Sequence, residues 1–220
     1  MSEVIGVAAV IVAAGAGRRL GGVAKALLPY RGKSYLATIA ATARAVGLVD
    51  AVVVVGEPFG QDVAAHARQL GLRVRVNPAP DRGMASSVAL GFAAIANGPA
   101  SAAWLWPVDH PAVAEATLRR LIDGFGAARM PGMPGMPGMI DPPAGGAFPR
   151  SINVAQPRYR GKGGHPPLVG RALWPALAAC GDEPGGARGV LRAGQLVAVD
   201  VDDPGVVCDV DTPADLGASE

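Results

Sequence analysis

A glycine-rich segment that carries several cations follows the first apolar run of the chain. From Ala13 to Lys25 it reads AAGAGRRLGGVAK. Glycines placed directly after a parallel strand let backbone N–H groups approach phosphate oxygens, and arginine and lysine supply countercharge. Two familiar phosphate loops do not fit: Leu20 stands where GxGxxG needs its third glycine, and Leu27 stands where a P-loop ending in GKS needs its first. The segment therefore predicts a phosphate site of another kind.

Carboxylates stand where they could hold a metal ion. Asp109 follows the apolar run Ala102–Trp106, at the end of a predicted strand where open α/β sheets bind ligands. Mg²⁺ takes one or two protein carboxylates together with phosphates and waters, so Asp109 is a candidate ligand; the alternative is an N-cap of the next helix. Asp209 and Asp211 stand two residues apart at the end of a second predicted strand, and one of the two is expected at the metal.

The remaining polar candidates have structural alternatives. Ser86 and Ser87 could cap a helix or contact a nucleotide. His165 stands between a glycine and a proline, after a basic stretch that includes Arg160. A lone histidine is commonly structural, yet a loop position beside cations also suits an acceptor site.

Alternating apolar runs and helical patterns position these residues. Strands are predicted at Val7–Val12, Ala51–Val55, Arg73–Val76, Ala102–Trp106, Ile152–Ala155, Gln195–Val199 and Val206–Asp209. Helices are predicted at Tyr35–Val46, Gln61–Leu70, Ser86–Ala96 and Ala114–Phe125. This order is typical of βαβ units, and strands so continuously apolar are usually covered on both faces. We therefore expect an α/β fold with a Rossmann-like, mostly parallel but mixed sheet and helices on both faces.

One segment breaks the pattern. Met130 to Met139 reads MPGMPGMPGM, and residues rich in proline and glycine continue to Pro149. Proline removes hydrogen-bond donors and glycine adds chain entropy, so neither a helix nor a strand is expected. We predict one domain over residues 1–220 with an insertion loop at about 127–149. A lid or a methionine-rich binding surface is the functional alternative for that loop.

Composition excludes several classes of protein. Half of the 220 residues are apolar, 17% are charged and the formal net charge is +2, which suits a globular protein and argues against a nucleic-acid or membrane-surface partner. Cys180 and Cys208 show no zinc-ligand spacing and no disulfide framework, so a cytoplasmic location is expected. The apolar run Val4–Ala14 is too short to span a bilayer.

Five motifs in order resemble the MobA-like nucleotidyltransferases, which include the molybdenum-cofactor cytidylyl- and guanylyltransferases. The motifs are the loop Ala13–Lys25, Asn77-Pro78 with GMASS from Gly83, WPVDHP from Trp106, Gly164-His165-Pro166, and CDVDTPAD from Cys208. They span nearly the whole chain. The resemblance implies a fold of the nucleotide-diphospho-sugar transferase type and transfer of a nucleotidyl group from a Mg²⁺-bound nucleoside triphosphate.

The resemblance also implies roles for individual residues. Negative charge develops on the α-phosphate and on the leaving pyrophosphate, so catalysis is mostly positioning and electrostatic stabilisation. Arg19, Lys25 and Asp109 would be catalytic, with Arg18 ranked below Arg19, and Asp109 and Asp211 would hold the metal. His165 and Arg160 would bind the acceptor. Nucleotide contacts would come from Ala13, Ala14, Gly15, Gly17, Arg19, Lys25, Asn77, Gly83, Ser86 and Ser87.

Ala14 favours the cytidylyl branch, because guanylyl members usually carry a glycine there. The expected donor is CTP, the expected acceptor a molybdopterin-type cofactor, and a molybdoenzyme or its chaperone is a possible downstream partner. Two other functions stay open: transfer to a sugar, polyol or lactate phosphate, since the fold serves many acceptors, and a non-catalytic assembly factor that binds nucleotide or cofactor. The joint presence of Arg19, Lys25, Asp109 and Asp211 argues against the second.

Overall fold

A computed structural model describes residues 6–17, 21–129 and 153–209 of the chain. Its strands are β1 (Val7–Val12), β2 (Pro29–Tyr30), β3 (Lys33–Ser34), β4 (Leu48–Val55), β5 (Arg73–Val76), β6 (Ala102–Pro107), β7 (Val154–Tyr159), β8 (Lys162–Gly163), β9 (Leu168–Gly170) and β10 (Leu196–Asp200). Its α-helices are α1 (Tyr35–Ala45), α2 (Gly60–Gln69), α3 (Met84–Ile95), α4 (Glu115–Arg129), α5 (Trp174–Ala179) and α6 (Gly186–Ala193).

The described strands form one mixed main sheet and a small hairpin. The main sheet runs in the order β10-β7-β9-β6-β1-β4-β5, with β8 paired to β7, and β2 pairs with β3 separately. The pairs β1/β4, β1/β6, β4/β5 and β7/β10 are parallel, whereas β9 is antiparallel to both of its neighbours. The strands on either side of β9 thus run parallel to one another, and the short β8 is antiparallel to β7.

Helices cover both faces of this sheet. On one face, Leu36 of α1, Val63 of α2 and Leu118 of α4 belong to one buried apolar cluster. On the other face, Phe92 of α3 and Leu177 of α5 belong to a second cluster. The central strands β1 and β6 are buried along their whole length, as their uninterrupted apolar sequences require.

The predicted fold class is confirmed, with local corrections. Helix α4 continues to Arg129, four residues beyond its predicted end at Phe125. Residues 130–152 lie outside the described part of the chain, so the insertion loop at about 127–149 stays a prediction. The predicted strand at Val206–Asp209 is wrong. A 3₁₀ turn at Pro204–Val206 precedes non-strand backbone there, because Val206 is buried against a neighbouring loop rather than paired in the sheet.

Within residues 6–17, 21–129 and 153–209, no helix combines the length and the apolarity that crossing a membrane requires.

Candidate active site

A cavity of about 490 Å³ opens at the carboxyl ends of three adjacent strands, β4, β1 and β6. Parallel strands end at the same edge of a sheet, and ligands of open α/β folds bind in the crevice outside that edge. The lining comes from four segments: Val12–Gly17 with Lys25, Glu57, the residues Pro80, Asp81, Gly83, Met84 and Ser87, and Pro107–Asp109.

The loop after β1 forms one wall of the cavity. The Ala13 amide donates to the Val54 carbonyl (2.8 Å), which ties the start of the loop to β4. Gly17 adopts a left-handed φ of 57°, and the Gly22 amide donates to its carbonyl (3.0 Å), which closes the turn. A β-carbon at Gly17 would collide with the Val23 carbonyl oxygen, so this turn requires glycine.

The structure describes some of the residues predicted in this loop and leaves others out. Ala13, Ala14, Gly15 and Gly17 line the cavity with Lys25. Residues 18–20, which include Arg19 and its neighbour Arg18, lie outside the described part of the chain.

Lys25 and Asp109 meet across the cavity although they are 84 positions apart in the sequence. Lys25 begins a 3₁₀ turn at Lys25–Leu27, and Asp109 lies two residues after β6. The Lys25 Nζ stands 3.4 Å from Asp109 Oδ2, with 16% and 23% of the two side chains exposed. Partial burial strengthens this ion pair relative to a pair on the surface and keeps both charges accessible to a ligand.

Asp109 fits a divalent cation on chemical grounds. Its second oxygen, Oδ1, is buried and accepts no hydrogen bond among the described residues. A carboxylate oxygen of this kind is the ligand that Mg²⁺ prefers, and one protein carboxylate suffices where phosphates and waters complete the shell. Asp211 lies outside the described residues, and the described part of the chain contains no group of three acidic, histidine or cysteine side chains placed to hold a metal.

Asn77, Ser86 and Ser87 form a buried hydrogen-bond network behind the cavity. Asn77 Nδ2 donates to Ser86 Oγ (2.8 Å) and to Ser87 Oγ (2.9 Å), and Asn77 Oδ1 accepts from the Ala79 amide (2.9 Å). Of the four residues predicted on this segment, Gly83 and Ser87 line the cavity, whereas Asn77 and Ser86 do not. The amide therefore fixes the loop that carries Gly83.

Several lining residues were not among the predicted site residues, including Glu57, Pro80, Asp81 and Met84, although Met84 belongs to the GMASS motif. Glu57 follows β4 by two residues, as Asp109 follows β6, so the strand-end argument applied to β4 would have found it. Met84 is 59% exposed at the start of α3, an unusual position for a large apolar side chain. Nothing in the local sequence pattern marks the other two.

His165 lies beside His110 instead of lining the cavity. The two rings are 4.9 Å apart between centroids at an interplanar angle of 38°, and His110 Nε2 is 3.8 Å from Asp109 Oδ1. Burial and then the neighbouring His110 lower the pKa of His165 to about 4, against the opposing attraction of Asp109. His165 is therefore uncharged near neutral pH and supplies no cation for an acceptor anion.

Arg160 and Asp209 lie away from the cavity lining. Arg160 is exposed in the turn between β7 and β8, with its guanidinium carbon 5.1 Å from the centre of the Tyr159 ring. Asp209 is exposed and interacts electrostatically with His165. No strand forms over Val206–Asp209, and residues two apart in a strand share a face in any case, so strand geometry does not separate Asp209 from Asp211.

Taken together, a mixed α/β sheet and a cavity with a phosphate-type loop, a lysine and a carboxylate are the features expected of a nucleotidyltransferase. The sequence model of the family described as the MobA-like NTP transferase domain matches residues 9–199. The chain belongs to this family.

Individual relatives extend the comparison over nearly the whole chain. The nicotine blue oxidoreductase of Paenarthrobacter nicotinovorans is 33% identical over 208 residues, which cover 94% of this chain and 92% of that protein. The crystal structure of Rv0371c from Mycobacterium tuberculosis H37Rv has a TM-score of 0.70 and 27% identity, covering 98% and 97% of the two chains. Rv0371c has also been solved in complex with manganese, at a TM-score of 0.64, 26% identity and 97% coverage of both chains.

Proposed function

We propose that this chain transfers a nucleotidyl group, CMP from CTP in the first instance, to a phosphorylated small-molecule acceptor of the molybdopterin type, with release of pyrophosphate. The observation that carries the proposal is the Lys25–Asp109 pair, which faces the loop after β1 across one cavity. That arrangement places a cation, a carboxylate and backbone N–H groups around a space of the size that a nucleotide needs.

In the proposed reaction, each of these groups acts through its charge. An oxygen of the acceptor phosphate attacks the α-phosphorus, the bond between the α-phosphorus and the bridging oxygen breaks, and pyrophosphate leaves with the electron pair. Lys25 and the amides around Gly15 and Gly17 would face the triphosphate, where negative charge develops. Asp109, together with Asp211, would hold Mg²⁺, which when bound neutralises the phosphate oxygens. The manganese complex of Rv0371c supports a divalent cation as the metal.

An assay for pyrophosphate tests the proposal. Release would be measured with CTP, GTP, ATP and UTP in the presence of Mg²⁺ and a panel of phosphorylated acceptors that includes molybdopterin and sugar, polyol and lactate phosphates. We expect acceptor-dependent release in wild type and its loss in Lys25→Met. Lys33→Met is the matched control, because Lys33 is exposed on β3 and does not line the cavity. Release that is equal in both variants would contradict the proposal.

Ala14 is the residue on which the choice of CTP depends. Its side chain is 93% buried and its β-carbon lies close to Gly56, where an added β-carbon would stand 3.1 Å away. Ala14 thus occupies space between the loops after β1 and β4 that a glycine would leave open. We expect CTP to bind at least about tenfold tighter than GTP, a preference of about 1.4 kcal/mol, and Ala14→Gly to raise GTP affinity more than it lowers CTP affinity. Calorimetric titration of both nucleotides measures these affinities. A GTP preference in wild type would overturn the choice of CTP but not the proposed nucleotidyl transfer.

The name of one relative favours a second candidate function. The Paenarthrobacter relative is called an oxidoreductase, and it is similar to this chain over nearly its full length. A redox reaction in the same cavity would need a redox cofactor, of which the nicotinamide dinucleotides are the first class to test. Oxidation of NADH or NADPH by nicotine blue or a related dye, without pyrophosphate release from any triphosphate, would favour this candidate over the first.

A further inference from the structure

Asp203 is a buried carboxylate outside the cavity, and its contacts reach the segment that carries Asp109. It follows β10 and is 8% exposed. Its Oδ2 accepts from the Ala114 amide (2.9 Å) and from Thr117 Oγ1 (2.6 Å), while its Oδ1 accepts from the Gly205 amide (2.9 Å). The carboxylate therefore joins the start of α4 to the turn Pro204–Val206.

The same turn packs closely on the loop between β6 and α4. A β-carbon at Gly205 would overlap the Ala112 carbonyl, so the two backbones touch there without an intervening side chain. Ala112 stands between His110 and Ala114 in the loop that begins at Asp109. Asp203 and Gly205 thus hold that loop at two points.

The turn also holds the loop that carries His165. The His165 amide donates to the Val206 carbonyl (2.7 Å), and a β-carbon at Gly164 would overlap the same carbonyl. One short segment therefore contacts both of the loops whose histidine rings face each other at 4.9 Å. His110, in turn, places Nε2 3.8 Å from Asp109 Oδ1.

We infer that Asp203 is a positioning residue of the active site: through the turn Pro204–Val206 it fixes the His110–His165 ring pair and, behind the cavity, the orientation of Asp109. Asp203 does not line the cavity. Only the metal-binding role of Asp109 rests on the proposed function. The placement of the two rings can be measured without any substrate.

Histidine NMR provides the test, because the chain has three histidines. His66 lies on α2 with Nε2 2.6 Å from Ser34 Oγ, so its ring is an internal reference away from the turn Pro204–Val206. In Asp203→Asn we expect the ring resonances of His110 and His165 to shift and those of His66 to stay. Asp202→Asn is the matched control, because Asp202 is the exposed neighbour.

A milder variant keeps the test decisive if Asp203→Asn does not fold. Thr117→Val removes one 2.6 Å hydrogen bond from the carboxylate and nearly preserves side-chain shape at a site only 3% exposed. We expect smaller shifts of the same two histidines. The inference would be overturned if none of the three histidine resonances shifted in a folded variant. It would also be overturned if all three shifted equally, because that result indicates a general loss of packing.

Metal dependence separates the inference from the proposed function. If Asp109 binds the metal, Asp203→Asn should raise the Mg²⁺ concentration for half-maximal turnover by about 10- to 100-fold, as loss of a residue that orients a metal ligand does elsewhere. If the resonances of His110 and His165 shift but the Mg²⁺ requirement does not change, Asp203 positions the two rings but does not orient Asp109. Absence of any transferase activity in wild type would count against the proposed function, while the NMR result would stand.

Discussion

The two oxygens of Asp109 have different surroundings. Oδ2 faces Lys25 Nζ at 3.4 Å, whereas Oδ1 is buried without a hydrogen-bond donor among the described residues. A buried acceptor left without a partner costs on the order of 1–3 kcal/mol. This cost makes a cation at Oδ1 a favourable addition to the folded protein.

Asp109→Asn is expected to abolish most Mg²⁺-dependent turnover while the fold is kept. The amide preserves the shape of the side chain but removes the charge that a metal and Lys25 both need, and losses of about 10²–10³ in kcat follow removal of one comparable electrostatic group. Pyrophosphate release as a function of Mg²⁺ checks this, with melting temperature as the measure of folding. Asp123→Asn, an exposed change on α4, is the control, and near-normal release by Asp109→Asn would show that Asp109 is not a ligand.

His165 makes stability depend on pH in a defined window. Its pKa is about 4 in the folded chain, against an ordinary value of 6.5, chiefly because burial disfavours the charged ring. Between these values the unfolded chain binds more protons than the folded one, so stability falls as pH drops from about 6.5 toward 4. The loss from this residue is on the order of 2–3 kcal/mol.

The variant His165→Gln should flatten that part of the profile. Urea unfolding at several pH values between 4 and 7 gives the free energy of unfolding for wild type and variant. We expect a shallower slope in the variant and a wild-type slope in His66→Gln, whose ring lies on α2 outside the pair. An unchanged slope in His165→Gln would mean that His165 charges readily in the folded state.

At the scale of elements, the loop after β1 depends on one backbone conformation. Gly17→Ala places a β-carbon against the Val23 carbonyl at a φ of 57°, so we expect a loss of about 1–3 kcal/mol in stability and weaker nucleotide binding. Gly15→Ala is the matched control for stability, because no atom lies within 4 Å of a β-carbon there and its φ is not left-handed. Thermal denaturation of the two variants compares them, and equal melting temperatures would show that the turn tolerates a side chain.

Elements with a strong periodic or continuous pattern were predictable, and those set by distant contacts were not. Val7–Val12 and Arg73–Val76 match the structure to the residue, and Ala102–Pro107 to within one, because apolar runs bounded by turns report burial directly. The short β9 gave no local signal, since its place depends on antiparallel pairing with β6 and β7. Val206–Asp209 has the composition of a strand, yet Val206 is held by the His165 amide instead of a ladder.

The same distinction applies to the site. Asp109, Lys25 and the glycines of the first loop could be found because chain position after a parallel strand predicts proximity to the sheet edge. The contact of His165 with His110 could not, because it arises from a turn that approaches from β10. Which residues stand behind the cavity is a property of packing between segments far apart in sequence.

At the scale of the whole molecule, the cavity joins segments from residue 12 to residue 109, so a bound nucleotide should stabilise the entire fold. A ligand present at 100 times its dissociation constant adds about 2.7 kcal/mol to the free energy of unfolding. For a chain of this size that is a rise of roughly 5–10 °C in melting temperature. The effect depends on binding alone and needs no acceptor.

Thermal shift with a nucleotide panel therefore tests both candidate functions in one measurement. With Mg²⁺ present, we expect CTP to raise the melting temperature most if Ala14, which lies against Gly56, selects the base as proposed. Lys25→Met should lose the shift, since it removes the cation that would face the triphosphate, and Lys33→Met should keep it. A rise in melting temperature with NADH or NADPH, and none with any triphosphate, would favour a redox reaction, as the name of the Paenarthrobacter relative indicates. Equal rises with all four triphosphates would keep the transferase and show that the loop after β1 binds phosphates without selecting the base.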